Sequence, residues 1–487
     1  MTLAVILIYL AAVLLVGVLG HRLFRGTGED YFLATRTIGP FVLLMSLFGT
    51  HMTAFSLLGA SGEAYHEGVG VFGLMASSSA LVVPLVFLGV GTRLYRCGKR
   101  LGHVTQVQYF RERWESDGLG LLLFIVTVAL VIPYLLIGVM GGGIALNQIT
   151  GGDVPEWVGG LMICGVVLGY VTTGGLRSTA WANTFQTLVF MILGGVAFAV
   201  VVHDLGGLDA ALDRVAAVSP SLLVPGQAMP LGRMVSYTLI PLSVGMFPHI
   251  FMHWLTARRV ETFRLTVILY PLCVAVVWLP SVLMGLFGAV EFPGLAGPAA
   301  NAVLVKLIHA HAPDLLAGLL GAGVFAAVMS SLDSQTLSLG TMFARDIVLH
   351  HGFQDHLSER YQVILGRLFV SGVLLVTFLL SLVADRSIFR LGIWSFTGFA
   401  ALFPLVVAAL FWRRSTAAGA IAAVLTMAVL WVRAFVRSGG GASSGPGGLM
   451  PVASILAASA AALVVVSLVT RPPSPAALAR FFPEGDG

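Results

Sequence analysis

Charged residues are scarce in this chain of 487 residues. Asp, Glu, Lys and Arg make up 10% of it and apolar residues 57%, whereas charged residues form roughly a quarter of a soluble globular protein. The mean hydropathy is +0.95. So few charged residues could not cover the surface of a soluble protein of this length. This argues against a soluble enzyme and against a nucleic-acid-binding protein.

Cysteines and catalytic motifs are lacking as well. The three cysteines (Cys97, Cys164 and Cys273) show neither a metal-ligand spacing nor a disulfide pattern, so we expect them to be small apolar core residues. The sequence has no nucleotide-binding G-x-x-x-x-G-K-[ST] run and no H-E-x-x-H. It therefore predicts neither an enzyme nor an organic cofactor.

Long apolar runs, in contrast, fill the chain. A hydrocarbon core about 30 Å thick needs about 20 apolar residues per helix, so thirteen spans would use about 260 residues, close to the apolar fraction. The predicted spans are 2–20, 38–61, 70–92, 119–148, 155–172, 180–202, 234–254, 264–288, 313–344, 364–384, 388–412, 416–436 and 450–470. The chain is therefore predicted to be an all-α polytopic membrane protein in contact with the lipid bilayer, with a retained first helix.

Basic residues predict the orientation of these helices. With the N-terminus outside, 20 of the 27 Lys and Arg residues fall in inside loops, and seven fall outside: Arg214, Arg233, Lys306, Arg386, Arg390, Arg433 and Arg437. Inside loops of membrane proteins carry the basic excess, so an N-out/C-in arrangement in the cytoplasmic (inner) cell membrane is predicted. The net charge of +5 then needs no acidic partner.

Two predicted spans contain helix-breaking residues. The second carries polar residues and glycines around Gly49-Thr-His-Met52, and the seventh has Pro241 and Pro248. These spans open two sets of five, and matching interruptions are typical of transporters with inverted repeats. We predict a peripheral first helix in 1–37, repeats in 38–202 and 234–412, and two peripheral helices with a short tail in 413–487. Residues 438–448 read as a flexible linker outside the body of the protein.

The ninth span is unusually polar. Ala327, Ser330, Ser331 and Ser334 fall at helical spacings of three and four, and Asp333 lies close to that face. Hydroxyl and carbonyl oxygens at that spacing are ligands for a hard cation, and an intramembrane carboxylate indicates function. The alternative is ordinary small-residue helix packing.

Together these features resemble the sodium:solute symporter family, which has a LeuT-type fold. The resemblance covers about residues 5–430 and rests on Ala326-Ala-Val-Met-Ser-Ser331 together with the following motifs: Tyr31-Phe-Leu33, Gly59-Ala-Ser-Gly-Glu-Ala-Tyr65, Tyr170-Val-Thr-Thr-Gly-Gly-Leu176, Asn183-Thr-Phe-Gln186, Phe247-Pro-His-Ile250 and Arg345-Asp-Ile347. The Pro-His pair is more similar to the proline, pantothenate and monocarboxylate branches than to the sugar branch.

The resemblance implies where ions and solute would bind. Its main sodium site maps onto five residues: Gly49, Met52, Ala327, Ser330 and Ser331. The solute would contact seven more: His51, Ser56, Phe72, Met75, Ser243, Met246 and Pro248. We expect His249 and His253 to be structural hydrogen-bonding residues.

One departure from the family concerns a carboxylate. Relatives usually carry an aspartate where this chain has Asn183, and a hydroxyl residue where it has Asp333. A second cation site built from Asn183, Ser330, Asp333 and Ser334 is one interpretation. A protonatable group and a plain hydrogen bond between Asn183 and Asp333 are the other two.

The function predicted on this basis is Na⁺-coupled symport of a small polar organic solute, with Na⁺ as the coupling ion and a monomer sufficient. A monocarboxylate, pantothenate or an amino acid is favoured as the solute. The alternatives are a membrane sensor or receptor that retains a transporter fold, and a proton-coupled symporter of the same fold.

Overall fold

A computed structural model describes residues 2–22, 37–224, 230–351, 359–384, 387–441 and 445–483. Within those ranges the chain is helical, and its only extended pairing is an isolated bridge between Ile38 and Ala257. The motif Tyr31–Leu33 lies outside the described residues. So does Arg386, one of the basic residues that predict the orientation.

Helices overlap the predicted spans, whose ordinals are kept for them here. Their bounds are Thr2–Arg22, Pro40–His51 with Phe55–Glu67, Phe72–Leu101, Asp117–Ile149, Glu156–Asp204, Leu231–Gly245 with Pro248–Leu255, Val260–Glu291, Asp314–Leu349, Glu359–Ser381, Ile388–Phe411, Ala417–Arg437 and Pro451–Val469. Shorter helices cover Gln106–Arg113, Leu208–Val218, Val303–His311 and Pro475–Phe481. Among the described residues, nine helices are long and apolar enough to cross a membrane, or eleven if each bent pair is one span. The protein is a multi-pass membrane protein.

The helical stretch Glu156–Asp204 contains both the fifth and the sixth predicted span. A straight helix of its 49 residues would be about 73 Å long, yet contacts bring both its ends to one end of the bundle. It starts shortly after Ile149, against which Gly321 near the start of the ninth span packs. At its other end Asp204 accepts a hydrogen bond of 2.6 Å from His311, just before the ninth span. The stretch therefore turns back within the bundle.

Both predicted interruptions are confirmed. The two parts of the second span meet at 59° and those of the seventh at 51°. The first part of the second span ends at His51, and the next residue, Met52, has an extended backbone (φ −84°, ψ 121°). In the seventh span, Phe247 is extended (φ −69°, ψ 123°) before Pro248, because proline disfavours helical geometry in the residue before it.

The ninth helix forms the centre of the bundle. All its side chains from Leu320 to Met342 are buried, and it packs on the first, fourth, fifth and sixth spans. Its polar face therefore points into protein rather than lipid. The segment 438–448 differs from the sequence expectation. The indole of Trp394 donates to the Gly440 carbonyl at 3.2 Å, so part of this segment packs against the body.

Candidate cation and solute sites

The break in the second span brings a backbone oxygen to the ninth helix. An α-helix pairs each carbonyl with the amide four residues on, but this helix ends at His51. The Gly49 carbonyl instead accepts the hydroxyl of Ser330 at 2.9 Å, and the same hydroxyl lies 3.0 Å from the Ala327 carbonyl. Three of the five predicted sodium ligands thus meet at one buried point.

The other two predicted sodium ligands lie close by in the chain. Met52 is the residue at which the helix breaks, and its amide donates to Phe48 at 2.9 Å. The Ser331 hydroxyl donates to the Val328 carbonyl of its own helix at 3.1 Å. In the described part of the chain, no hydrogen bond joins the side chain of Ser331 to the second span, so its place in the site is still a prediction.

Close packing explains the glycine at position 49. A Cβ atom there would lie 1.9 Å from Thr187 Oγ1 and 3.3 Å from the Asn183 carbonyl. The Thr187 hydroxyl in turn donates to the Met45 carbonyl at 3.0 Å. The sixth span therefore presses directly on the broken helix, and only a residue without a side chain fits between them.

A buried hydrogen-bond network joins four spans around Ser334. Its hydroxyl accepts from Asn183 Nδ2 at 2.7 Å and donates to Asp333 Oδ1 at 3.1 Å. His253 Nε2 lies 3.1 Å from the same hydroxyl, and Ser46 Oγ lies 3.0 Å from His253 Nδ1. Because Ser334 has one proton to give, Nε2 of His253 is the donor and Nδ1 accepts from Ser46.

This network brings together most of the predicted second cation site. Asn183 and Asp333 are connected through Ser334 rather than directly, and both are fully buried. Ser330, the remaining member, turns its hydroxyl to Gly49 instead. His253 forms structural hydrogen bonds, as predicted, and it links the seventh span to the second and the ninth.

Part of the predicted solute set surrounds the two breaks. His51 Nδ1 forms a hydrogen bond with the Tyr270 hydroxyl, and its ring centroid lies 6.1 Å from that of Phe247. Phe247 is the residue between Met246 and Pro248, two other predicted members. The breaks of the second and seventh spans therefore face each other across His51 and Phe247.

Among the described residues, no polar contact joins the remaining predicted solute residues to the two breaks. The Ser56 hydroxyl donates to the Thr53 carbonyl at 2.9 Å. Ser243 and Met75 are buried, and Phe72 is half-buried. Phe72 and Met75 belong to a π-helical turn that packs against the eighth span and the start of the seventh.

Two polar residues that the sequence did not single out as ligands lie beside Phe247. The rings of Tyr134 and His249 lie 5.3 Å and 5.2 Å from it. The Tyr134 hydroxyl and both His249 nitrogens are buried without a hydrogen-bond partner in the described structure, so the hydrogen-bonding role predicted for His249 is wrong for these residues. An unpaired buried polar group costs about 1–3 kcal/mol, which favours a polar ligand or water at this place. Tyr134 sits in a long apolar run that carries no sequence signal for such a role.

A broken helix whose freed carbonyl meets a hydroxyl of a buried helix is typical of ion-coupled membrane transporters. A model of the sodium:solute symporter family matches residues 31–426. The chain therefore belongs to the sodium:solute symporter family, and it is a transporter rather than an enzyme, as predicted.

Individual relatives agree with this assignment. The sodium/pantothenate symporter of Escherichia coli is 28% identical over 429 residues, covering 84% of this chain and 85% of the relative. The sodium/proline symporter of Haemophilus influenzae is 28% identical over 447 residues, covering 87% and 86%. The predicted likeness to the proline and pantothenate branches is thus confirmed.

Solved structures share the fold. A Na⁺-coupled sialic acid symporter in a substrate-bound outward-open state superposes with a TM-score of 0.79 at 17% identity, covering 97% of this chain and 98% of that one. A nucleobase-cation-symport-1 family transporter gives a TM-score of 0.60 at 13% identity, covering 93% and 99%.

Proposed function

We propose that this protein uses the Na⁺ gradient to carry a small carboxylate-bearing solute across the inner membrane by alternating access. The single observation that carries the proposal is the contact of the Ser330 hydroxyl with the Gly49 carbonyl, because it joins the broken second span to the ninth through oxygen atoms that suit Na⁺. Two relatives are named for pantothenate and proline, and both of those solutes carry a carboxylate. A monocarboxylate, pantothenate or an amino acid is therefore favoured.

Na⁺ would be held by five oxygen atoms. These are the backbone carbonyls of Gly49, Met52 and Ala327 and the hydroxyls of Ser330 and Ser331. The site is buried, so the ion would replace its water with protein oxygens while bridging the second and ninth spans. Binding that is tighter in one conformation would then shift the population toward that conformation.

The solute would bind where the two breaks face each other. His51, Tyr134 and His249 offer polar groups around Phe247, next to the predicted contacts Met246 and Pro248. Ser56, Phe72, Met75 and Ser243 would complete the wall. Asn183, Ser330, Asp333 and Ser334 would hold a second cation, either Na⁺ or a proton.

We also propose thirteen spans with the N-terminus outside. Side-chain contacts support this topology, because each contact joins two segments that the topology places on the same side of the membrane. Arg480 pairs with Glu112 at 2.5 Å, both on the proposed inside, and His311 bonds Asp204 on the proposed outside. A monomer contains every residue of the proposed sites.

Uptake into proteoliposomes tests the proposal. A panel of pantothenate, L-proline and simple monocarboxylates should show uptake that requires an inward Na⁺ gradient. His51→Ala should weaken solute binding but leave Na⁺ binding intact. A sensor of this fold would bind solute without uptake, and a proton-coupled symporter would work without Na⁺. Na⁺-independent uptake in the wild type would contradict the proposal.

A further inference from the structure

Gln186 is buried in the sixth span and has no hydrogen-bond partner among the residues that the structure describes. Its side chain is 0% exposed, and neither the amide oxygen Oε1 nor the nitrogen Nε2 forms a hydrogen bond there. An amide can accept and donate several hydrogen bonds, and a buried polar group that makes none costs free energy. This burial favours a polar ligand or an ion beside the amide.

Two contacts fix the height of this glutamine against the ninth helix. Asn183, one turn before it, donates from Nδ2 to Ser334 at 2.7 Å. Further along the sixth span, Leu193 packs against Gly323, where a Cβ atom would lie 3.0 Å from the Cβ atom of Leu193. The two helices thus run in opposite directions past each other. Because both rise equally per residue, the glutamine is level with the turn that carries Ser330.

Helical spacing also fixes the direction of the side chain. Residues three and four apart lie on one face of a helix. Gln186 is three residues after Asn183 and four before Phe190, and both of these contact the ninth helix. The next residue, Thr187, presses on Gly49 of the second span. The amide therefore lies at the junction of the second, sixth and ninth spans, beside the proposed sodium site.

We propose that Gln186 is a further ligand of the proposed sodium site and supplies its sixth oxygen, Oε1. A neutral amide oxygen is a hard ligand of the kind that suits Na⁺. The five oxygens proposed above come from the second and ninth spans, so this ligand would bring in a third span and let the ion hold all three together. The inference rests on the proposed function and adds a residue to its ion site.

This role has a consequence that a purely structural glutamine would not have. A buried amide that is paired only by the ion costs stability without Na⁺ and adds stability with it, because the ion binds the folded state. An amide that is paired within the protein stabilises both states. Gln186→Met keeps the length of the side chain and removes both polar atoms. It should therefore raise the unfolding temperature without Na⁺ and weaken the stabilisation by Na⁺.

Thermal unfolding of the purified full chain tests this inference, with NaCl titrated against choline chloride at constant ionic strength and no solute present. Gln186→Met should raise the Na⁺ concentration for half-maximal stabilisation about five- to a hundredfold, the loss expected for one buried polar contact. Gln186→Glu keeps Oε1 and should keep the Na⁺ response.

Thr184→Val is the matched control on the same span. The buried hydroxyl of Thr184 donates to the Ala180 carbonyl of its own helix at 2.7 Å, so its removal should leave the Na⁺ dependence unchanged. An equal loss of the Na⁺ response in Thr184→Val would show that any polar change in this span acts alike, and would overturn the role of Gln186.

The outcomes separate this inference from the proposed function. An unchanged Na⁺ dependence in Gln186→Met, or an unfolding temperature without Na⁺ below that of the wild type, would overturn the inference. If Ser330→Ala weakens the Na⁺ response and Gln186→Met does not, the proposed sodium site stands without Gln186. If Gln186→Met weakens the response of a protein that shows no Na⁺-driven uptake of any solute in the panel, the proposed symport fails and the ion ligand stands.

Discussion

The hydroxyl of Ser330 connects two parts of the chain that are 281 residues apart. Because a broken helix leaves the Gly49 carbonyl without its usual amide, this one side chain supplies a structural contact and, in the proposed sodium site, an oxygen for Na⁺. Ser338, on the same buried helix, donates instead to the Gln335 carbonyl at 2.7 Å. The two serines therefore differ in what their hydroxyls join, although both are buried.

Ser330→Ala should raise the Na⁺ concentration needed for half-maximal uptake by about five- to a hundredfold, because it removes one buried polar contact worth about 1–3 kcal/mol. Ser331→Ala should act in the same direction. Ser338→Ala is the matched control and should leave the Na⁺ dependence unchanged. Uptake titrated against Na⁺ in proteoliposomes measures this, and an unchanged Na⁺ dependence in Ser330→Ala would rule out the assignment.

Asp333 allows a second test at this scale. If the carboxylate helps to hold a second Na⁺, Asp333→Asn should lower the Hill coefficient for Na⁺ toward one and reduce the charge moved per solute. The double change Asn183→Asp with Asp333→Ser returns the carboxylate to the sixth span and should restore both. If Asp333 carries a proton, uptake should acidify the lumen without Na⁺.

The measurement for Asp333 is the ratio of charge to solute in wild type and variants. If Asp333→Asn loses stability but keeps the same stoichiometry, the hydrogen bond to Ser334 is the only role left for Asp333. A wild-type ratio of one Na⁺ with no proton would exclude the second cation site.

At the scale of helices, the sixth span fixes the position of the broken second span. Gly49→Ala should destabilise the purified protein by about 1–3 kcal/mol, the usual cost of overpacking, because the new Cβ atom would meet Thr187 Oγ1 at 1.9 Å. Adding Thr187→Ala removes that oxygen and should recover part of the loss. Thermal unfolding of both single variants and the double variant measures the coupling, and strictly additive effects would show that this contact is unimportant.

The C-terminal helix Pro475–Phe481 docks on the helix Gln106–Arg113. Arg480 pairs with Glu112 at 2.5 Å, and Phe481 stacks on His103 at 5.9 Å. Partial burial raises the pKa of Glu112, but the hydrogen bonds and charges of His103, Gln108 and Arg480 outweigh it and lower the pKa to about 2. The carboxylate therefore stays ionised while the helices are docked.

This depressed pKa predicts how docking depends on pH. A carboxyl group whose pKa falls on folding stabilises the folded state above its ordinary value of 4.5, and that contribution is lost as the pH falls through about 2. Docking should thus not weaken from neutral pH to about 5, near the ordinary pKa of a carboxyl group. Glu112→Gln should loosen the C-terminal helix between pH 5 and pH 7, whereas Glu115→Gln, at an exposed position, should not. Hydrogen exchange of the C-terminal helix measures this, and protection that falls between pH 7 and pH 5 would contradict it.

At the scale of the whole molecule, the topology can be tested by labelling. The three natural cysteines are buried and should label slowly. Asp209→Cys, on the proposed outside, should react with a membrane-impermeant maleimide on intact cells. Ala476→Cys, on the proposed inside, should react only after permeabilisation. Labelling of both positions from one side would contradict an odd number of spans between Asp209 and Ala476. The reverse pattern would contradict the proposed orientation.

Several features of the fold could be predicted from local sequence. The scarcity of charge and the long apolar runs indicate a membrane protein, since the bilayer core tolerates few charges. Pro248 and the polar glycine-containing run ending at Met52 predict the two breaks, because their effects on the backbone are local. The polar residues of the ninth span are visible in the sequence because lipid-facing helices rarely carry them.

The sequence by itself therefore determined the class of protein and the broken helices, and it predicted which residues would hold a cation. Only the tertiary structure decided which polar groups meet. It puts Ser334 between Asn183 and Asp333, sets Tyr134 beside Phe247, and folds back the stretch Glu156–Asp204. The physical reason is that hydropathy and helix breaks depend on neighbours in the chain, whereas these contacts join residues far apart in sequence and depend on how whole helices pack.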